Sequence, residues 1–257
     1  MSAMVMTEPI DDELEGLRPE EVLEWTYRTY GRVAIVASFQ AESSVLIHMA
    51  SSMVERPEVI TLDTGRLPQE TYDVIDRIQR RYQIRLHVQS PDPEEVAELV
   101  EGDGPNLFRA SVEQRKRCCE VRKVRPLRRA LEGFDAWVTG LRRDQSSVRG
   151  ATPVVQSDPA HGGIAKVAPL AAWTRDQVWA YIREHELDYH ELYDRGYSSI
   201  GCAPCTRAVE QWEDERAGRW WWEQSAVKEC GLHWTPQGLV RASSVPAAAA
   251  GLGWEGR

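Results

Sequence analysis

The residues with the most chemistry in this chain are its five cysteines, and two of them are adjacent. Cys118 and Cys119 lie in QRKRCCEVRKVRPL, residues 114–127, a stretch dense in arginine and lysine. A second pair, Cys202 and Cys205, follows far downstream in GCAPC, and Cys230 stands apart in KECGLHW. A Cys-x-x-Cys loop aims two thiolates at one soft centre, and the adjacent pair brings the donor count to four. Four thiolates suit structural zinc or a [4Fe–4S] cluster. Zinc favours two spaced pairs, because neighbouring side chains turn toward one ion with difficulty. A cluster offers separate iron corners and tolerates adjacency better, so spacing favours it, with zinc as the alternative. A thioredoxin-like redox pair at Cys202 and Cys205 would leave Cys118 and Cys119 unexplained. Core filling fits poorly with the flanking cations. Cys230 has Lys228 nearby and His233 three positions on. It reads either as a low-pKa nucleophile or as a surface thiol.

Bulk properties narrow the setting. The chain has 257 residues, 42% hydrophobic and 28% charged, which is an ordinary globular composition. Its formal net charge of -9 provides no global basic field for nucleic acid. The basic run at 115–129 suits a small anionic ligand as well as a polynucleotide. No apolar run reaches the length of a membrane span, and the acidic N-terminus does not resemble a secretory signal. The expected compartment is the cytoplasm, where cysteines serve metals or catalysis before disulfides. A homo-oligomer is compatible with this composition.

The elements that would position these residues alternate. A helix is expected from Pro19, then a buried strand at Gly31–Phe39 and a helix at Ser43–Met53. The pattern repeats as a strand at Glu58–Thr64, a helix at Pro68–Tyr82 and a strand at Ile84–Val88. A short helix follows within Pro91–Asn106, then a helix at Val121–Leu131 that Pro126 should kink, and a strand at Phe134–Leu141. Thr152–Gly163 reads as a turn-rich excursion, Lys166–Leu170 as an edge strand, and Ala171–His185 as a helix capped at Thr174. This order implies an α/β fold with a mostly parallel sheet and helices on both faces. Ligands of such sheets sit beyond the carboxyl ends of the strands. Four polar strand ends are expected there: SFQAES (38–43), LDTGR (62–66), HVQS (87–90) and TGLRRDQS (139–146). Gly65 and Gly140 allow tight turns or close backbone approach. For Ser38 and Ser43 the alternative to a ligand role is helix capping, and the two are compatible because a cap site is also an anion site. Arg142 and Arg143, at the fourth strand end, are expected to face an anion.

Taken together, KRCCEVRKVRPL, GLRRDQS, GCAPCTR, RAGRWWW and ECGLH resemble the assimilatory adenylyl-sulfate (APS) reductases, the iron–sulfur branch of the APS/PAPS reductase family. The resemblance runs from about Glu21 to Trp234 in the family order. It implies a Rossmann-like sheet of the adenine nucleotide α-hydrolase type with a mobile C-terminal segment. The implied organisation is a flexible acidic arm at 1–20, a nucleotide-binding and iron–sulfur domain at 21–222, and a C-terminal segment at 223–257. By this resemblance Cys118, Cys119, Cys202 and Cys205 hold a [4Fe–4S] cluster and Cys230 is the catalytic cysteine. Lys123, Arg216 and Arg219 match cations of the substrate site, and His233 matches the histidine near the nucleophile. SFQAES, with Ser38, Gln40 and Ser43, corresponds to a modified phosphate loop. LDTGR, with Asp63, Gly65 and Arg66, corresponds to a neighbouring nucleotide loop. Lys123 lies four residues after Cys119 and would share a face of a continuing helix with it.

The implied reaction converts adenosine 5′-phosphosulfate (APS) to sulfite and AMP through S-sulfocysteine on Cys230, with thioredoxin or a glutaredoxin-like protein as reductant. No thioredoxin-like domain follows Trp234, so the reductant is expected in trans. The closest alternative is a reductase of the 3′-phosphorylated nucleotide PAPS, or one of dual preference. An ATP-dependent tRNA sulfur-transfer enzyme is another; it would need a SerGlyGlyxAspSer loop, which is absent. A non-enzymatic zinc or nucleic-acid module is a third, and the acidic net charge weakens it.

Overall fold

The computed structural model describes residues 13–223 together with Glu229 and Gly231. Cys230, His233, the arm up to residue 12 and the rest of the C-terminal segment lie outside the described residues, and so does the expected mobility of that segment. The four expected parallel strands form: β1 Val33–Val36, β2 Glu58–Leu62 and β4 Ala136–Thr139 are shorter than expected, and β3 Arg85–Gln89 is shifted by one residue. Around them run α1 Pro19–Thr29, α2 Ala41–Met53, α3 Gln69–Arg81, α4 Pro93–Asp103, α5 Val112–Cys119 and α6 Arg125–Ala130. After β4 come β5 Val155–Asp158, β6 Ile164–Val167 and α7 Arg175–Glu184. The starts are chemically marked. Pro19 opens α1, the Asp92 side chain accepts the Glu94 and Glu95 N–H groups at α4, and Thr174 forms a capping box with Gln177 at α7.

The sheet order is β3-β2-β1-β4-β6-β5, parallel throughout except for β5 against β6. Side chains alternate across it. Val33, Ile35, Val59 and Val138 join a large core beneath α1, α2, α3 and α7. Ala34, Ile60 and Trp137 join a smaller core with Leu127 and Leu131 on the opposite face. Both faces are covered, which is why the strands read as continuous apolar runs rather than alternating ones.

Two expectations need correction. The strand within KVAPL is interior, paired on both sides, and the sheet edge on that side is β5, inside the segment expected to be an excursion. That strand, VQSD, carries too few apolar residues to announce itself. It is set by antiparallel pairing to β6 across a turn where Gly162 and Gly163 take φ of 75° and 78°. The basic segment also differs. Its helix begins at Val112, earlier than expected, and Pro126 does not kink a single α-helix. Instead Glu120–Val124 forms a π turn between α5 and α6, with the Arg125 N–H bonded to Glu120 O. In unbroken α register the proline ring would meet the carbonyl four residues back and would lack its own donor; the wider turn accommodates both.

His190 ties the 3₁₀ segment Glu191–Arg195 to α3. Its Nδ1 accepts the Leu192 N–H at 3.3 Å, and its Nε2 stands 3.0 Å from Thr71 Oγ1. The ring is fully buried, and burial, outweighing nearby Glu70, pulls its pKa down to about 4 from an ordinary 6.5. A depressed histidine pKa stabilises the fold above the unfolded value and loses that contribution as pH falls toward the folded one. The unfolding free energy, followed by denaturant titration, should therefore drop by about 3 kcal/mol between pH 6.5 and pH 4. The His190→Gln variant should lack that component of the pH dependence.

Candidate active site

Connections from β1 run through α2 to β2 on one side, while β4 lies on the other side of β1, so a crevice opens where the topology diverges. A solvent-open cavity occupies it, lined by residues at the ends of β1, β2 and β4, by 199–201, and by residues from the 215–220 segment. The third expected strand end, HVQS, does not reach this cavity. It completes β3 at the sheet edge, and Ser90 O, just beyond the strand, accepts a bond from Arg129.

The loop after β1 is wound on itself. Phe39 is fully buried with φ of 54°, a left-handed conformation uncommon for a non-glycine residue, and it turns the chain sharply into α2. The Ser38 N–H donates to Ser43 Oγ at 3.1 Å, and Gln40 Nε2 donates to Ser38 Oγ at 3.0 Å. Gln40 Oε1 accepts the Ile200 N–H at 2.7 Å, and the Ala41 N–H donates to the Tyr193 hydroxyl at 3.2 Å. Ser38, Gln40 and Ser43 all line the cavity. Neither serine caps the helix. Gln40 is the N-cap residue, without a side-chain cap, and Ser43 closes the turn instead. Gly140 packs against α2 so closely that a Cβ there would lie 2.7 Å from Glu42 Cβ, in line with the expected close backbone approach.

Lys123, Arg149, Arg216 and Arg219 line the cavity. Arg149 was not singled out from the sequence; its position beyond the fourth strand, in a polar loop, was the available signal. The adjacent arginines expected at the nucleotide do otherwise. Arg142 is buried and bonds Glu42 at 2.9 Å and both Glu215 oxygens at 3.0 Å, with Asp144 as a third carboxylate. Arg143 points away, bonding Thr152 O at 2.8 Å and pairing with Glu15. Glu42 and Glu215, also not anticipated, belong to the cavity wall. Burial pushes the Glu215 carboxyl pKa up; Arg142 opposes this and Glu42 adds to it.

A second, smaller cavity is lined by Cys118, Cys119, Cys202 and Cys205, all buried. Its other polar lining is cationic: Arg66, Arg115, Arg122, Lys123 and Arg219. Lys123, Arg219 and Trp220 belong to both linings, so the two cavities share a wall. The π turn still directs Lys123 toward the cysteines, although the expected continuous α-helix is absent. LDTGR also divides. Thr64 reaches the large cavity, whereas Arg66 lines the cysteine cavity and Asp63 turns aside to accept the Gly65 N–H and the Tyr72 hydroxyl. Gly65 makes that turn with φ of 68°. Thr64 Oγ1 lies 3.3 Å from Cys202 Sγ, the Ala203 N–H bonds Arg66 O at 2.8 Å, and Arg122 bonds Thr64 O at 2.8 Å. One loop thereby joins both cysteine pairs.

The thiols differ electrostatically. Burial raises the Cys205 pKa to about 11, and nearby Cys202 adds to it; burial likewise raises that of Cys118. Burial would raise Cys202 too, but Lys123, the Thr64 hydroxyl, Arg219 and Arg122 together outweigh it and hold its pKa below the ordinary thiol value. Among the described residues no group of three or more His, Cys, Asp or Glu side chains is arranged to hold a metal ion. The donor chemistry of the smaller cavity nonetheless suits an iron–sulfur group. Among the described residues its soft donors are four cysteines, no carboxylate or imidazole lines it, and cations face the thiols from several elements.

Arg142 is the residue whose loss should test the reassignment from nucleotide ligand to internal tie. Arg142→Met should destabilise the fold by about 3–5 kcal/mol in denaturant titration, because Glu42 and Glu215 would keep buried charge without a partner. Adding Glu215→Gln should recover part of that loss, giving a non-additive double-mutant cycle.

Comparison with known proteins agrees with this geometry. Residues 32–208 match the model of the phosphoadenosine phosphosulfate reductase domain. The chain is 46% identical over 213 residues to adenosine 5'-phosphosulfate reductase of Allochromatium vinosum, covering 83% of each. It is 43% identical over 235 residues to probable 5'-adenylylsulfate reductase 1, chloroplastic, of Oryza sativa subsp. japonica, covering 88% of this chain and 49% of that one. A phosphate complex of phosphoadenylyl-sulfate (PAPS) reductase from Candida auris superposes with a TM-score of 0.68 at 30% identity, over 81% of this chain and 100% of that chain. The sheet is thus of the expected Rossmann-like, adenine nucleotide α-hydrolase type, and the chain belongs to the phosphoadenosine phosphosulfate reductase domain family.

Proposed function

We propose that this chain is a thioredoxin-dependent adenylyl-sulfate reductase, converting adenosine 5′-phosphosulfate to sulfite and AMP in sulfate assimilation. The observation that carries the reading is the shared wall: Lys123 and Arg219 line both the cavity at the strand ends and the cavity of four cysteines. Relatives named as reductases of this nucleotide, in bacteria and plants, support it. The nucleotide occupies the crevice beyond β1 and β4, with the Ser38–Ser43 loop beneath its anionic portion. Residues 21–222 then act as the nucleotide and cluster domain, and 223–257 as the segment that carries Cys230. A reducing cytoplasm is the matching compartment.

The chemistry proceeds by two displacements. The Cys230 thiolate attacks the sulfur of the sulfuryl group, an S–S bond forms, and the S–O bond to the phosphate breaks, with AMP taking the electron pair. A thiolate of thioredoxin, or of a glutaredoxin-like dithiol, then attacks Cys230 Sγ and expels sulfite. Its second thiol resolves the mixed disulfide, so two electrons pass from the dithiol to sulfur. Nucleophile and target are both anionic, and Lys123, Arg149, Arg216 and Arg219 offset their repulsion and the charge gathering on the leaving phosphate. His233 would assist near the thiolate.

Cys118, Cys119, Cys202 and Cys205 would hold the [4Fe–4S] cluster. When bound, the cluster supplies a fixed charge distribution beside the shared wall and a covalent tie between α5 and the 202–205 loop. Four cysteine ligands would leave no open iron for substrate.

Protein purified anaerobically should contain iron and acid-labile sulfide. After incubation with adenosine 5′-phosphosulfate, mass spectrometry should find a sulfonate adduct on Cys230 that reduced thioredoxin removes. Absence of both iron and adduct would sink the reading. The family model and the Candida auris structure carry the name of the 3′-phosphorylated nucleotide, so the same assay run with PAPS should return the lower kcat/KM. Lys123→Ala should lower kcat/KM by about 100-fold while iron content is retained. Unchanged sulfite production in that variant would remove Lys123 from the mechanism.

A further inference from the structure

Two of the cations lining the nucleotide cavity already have an anionic partner inside the chain. Glu229 Oε1 accepts from Arg149 Nε at 2.9 Å, and Glu229 Oε2 accepts from Arg149 Nη2 at 2.9 Å, a paired contact. Arg216 Nη2 stands 3.5 Å from the same Oε2. Both side chains of the Arg149 pair are 10% exposed, so the contact is shielded rather than a solvated surface bridge. Burial by itself would raise the Glu229 pKa, but Arg149, Arg216 and Arg219 outweigh it and keep the carboxyl below its ordinary value.

The main chain of Glu229 is held as well. Its carbonyl oxygen accepts from Arg115 Nη1 at 2.6 Å. Arg115 is fully buried, bonds both Glu223 oxygens at 2.7 and 3.1 Å, lies 4.3 Å from the Trp220 ring centroid, and lines the cysteine cavity. Glu229 is therefore anchored to α5 through its backbone and to the nucleotide cavity through its carboxylate. The residue that follows it in the chain is Cys230.

We infer that Glu229 is an intramolecular counter-anion of the substrate site, whose carboxylate holds Arg149 and Arg216 until the anionic group of the nucleotide takes them by exchange. The inference rests on the reading of the cavity as a site for adenosine 5′-phosphosulfate. Guanidiniums gathered at low dielectric repel one another, and a resident carboxylate keeps them in place while substrate is absent. The incoming phosphosulfate carries its own negative charge, so it and Glu229 compete for the same donors. No covalent bond changes in the exchange. Its consequence is local: substrate loosens the side-chain hold on the residue before the nucleophile, while Arg115 keeps its main-chain hold.

The test is calorimetric titration of the anaerobically purified holoenzyme with AMP and, separately, with uncharged adenosine. Glu229→Gln should bind AMP about tenfold more tightly than wild type, and adenosine with unchanged affinity. Glu229→Ala should behave alike, which separates lost competition from any new contact made by the amide. AMP affinity that is equal to or weaker than wild type in both variants would overturn the inference and leave the nucleotide site standing. If the wild-type holoenzyme binds neither AMP nor adenosine, the nucleotide reading fails and the inference falls with it.

Discussion

Compensation of buried cations is the constraint on which this site depends. Arg115 and Arg142 are almost wholly withdrawn from solvent, and each is matched by carboxylates, Glu223 for the first and Glu42, Glu215 and Asp144 for the second. A guanidinium in that setting is costly without a partner and holds a defined geometry with one. Apart from Arg142–Asp144, each of these pairs joins segments far apart in the chain. Arg142 links α2, the loop after β4 and the 215–220 segment, and Arg115 links α5 to residues 223 and 229.

The wall between the two cavities inverts this arrangement. There Lys123, Arg219 and the neighbouring Arg122 face buried thiols, and the thiol best served by them, Cys202, is the one held below its ordinary pKa. The same wall meets the cavity at the strand ends on its other side. Positive charge is thereby offered in two directions from one set of side chains. The π turn matters to this because it lets Pro126 follow directly on the segment that carries Lys123 and Arg122, without breaking the path from the adjacent cysteines to α6.

Close approach completes the arrangement. Gly140 lets the loop after β4 lie against Glu42, and Gly201 leaves room for the Arg219 guanidinium, whose Nη2 would be 2.3 Å from a Cβ there. Arg219 passes through that gap to Ile200 O and stacks on Trp220, which is how it reaches both cavities. The spacing in RAGRWWW marked the segment as unusual, yet the place of Trp220 in the wall depends on pairing of 206–207 with 218–219.

The sequence by itself determined the parallel α/β order, the first four strands, the capped helix at Thr174 and the grouping of four cysteines, because apolar periodicity, capping chemistry and donor spacing are local signals. It also marked Ser38, Gln40, Ser43, Lys123, Arg216 and Arg219, all of which meet at the cavity. Tertiary structure decided the rest. The edge strand β5 has a sequence too polar to read and exists through its pairing with β6. Which of Arg142 and Arg143 would turn inward, and that neither would line the cavity, depended on carboxylates contributed by distant segments. Arg149 and Glu229 acquire meaning only together, because an ion pair between residues 80 positions apart leaves no trace in either local pattern.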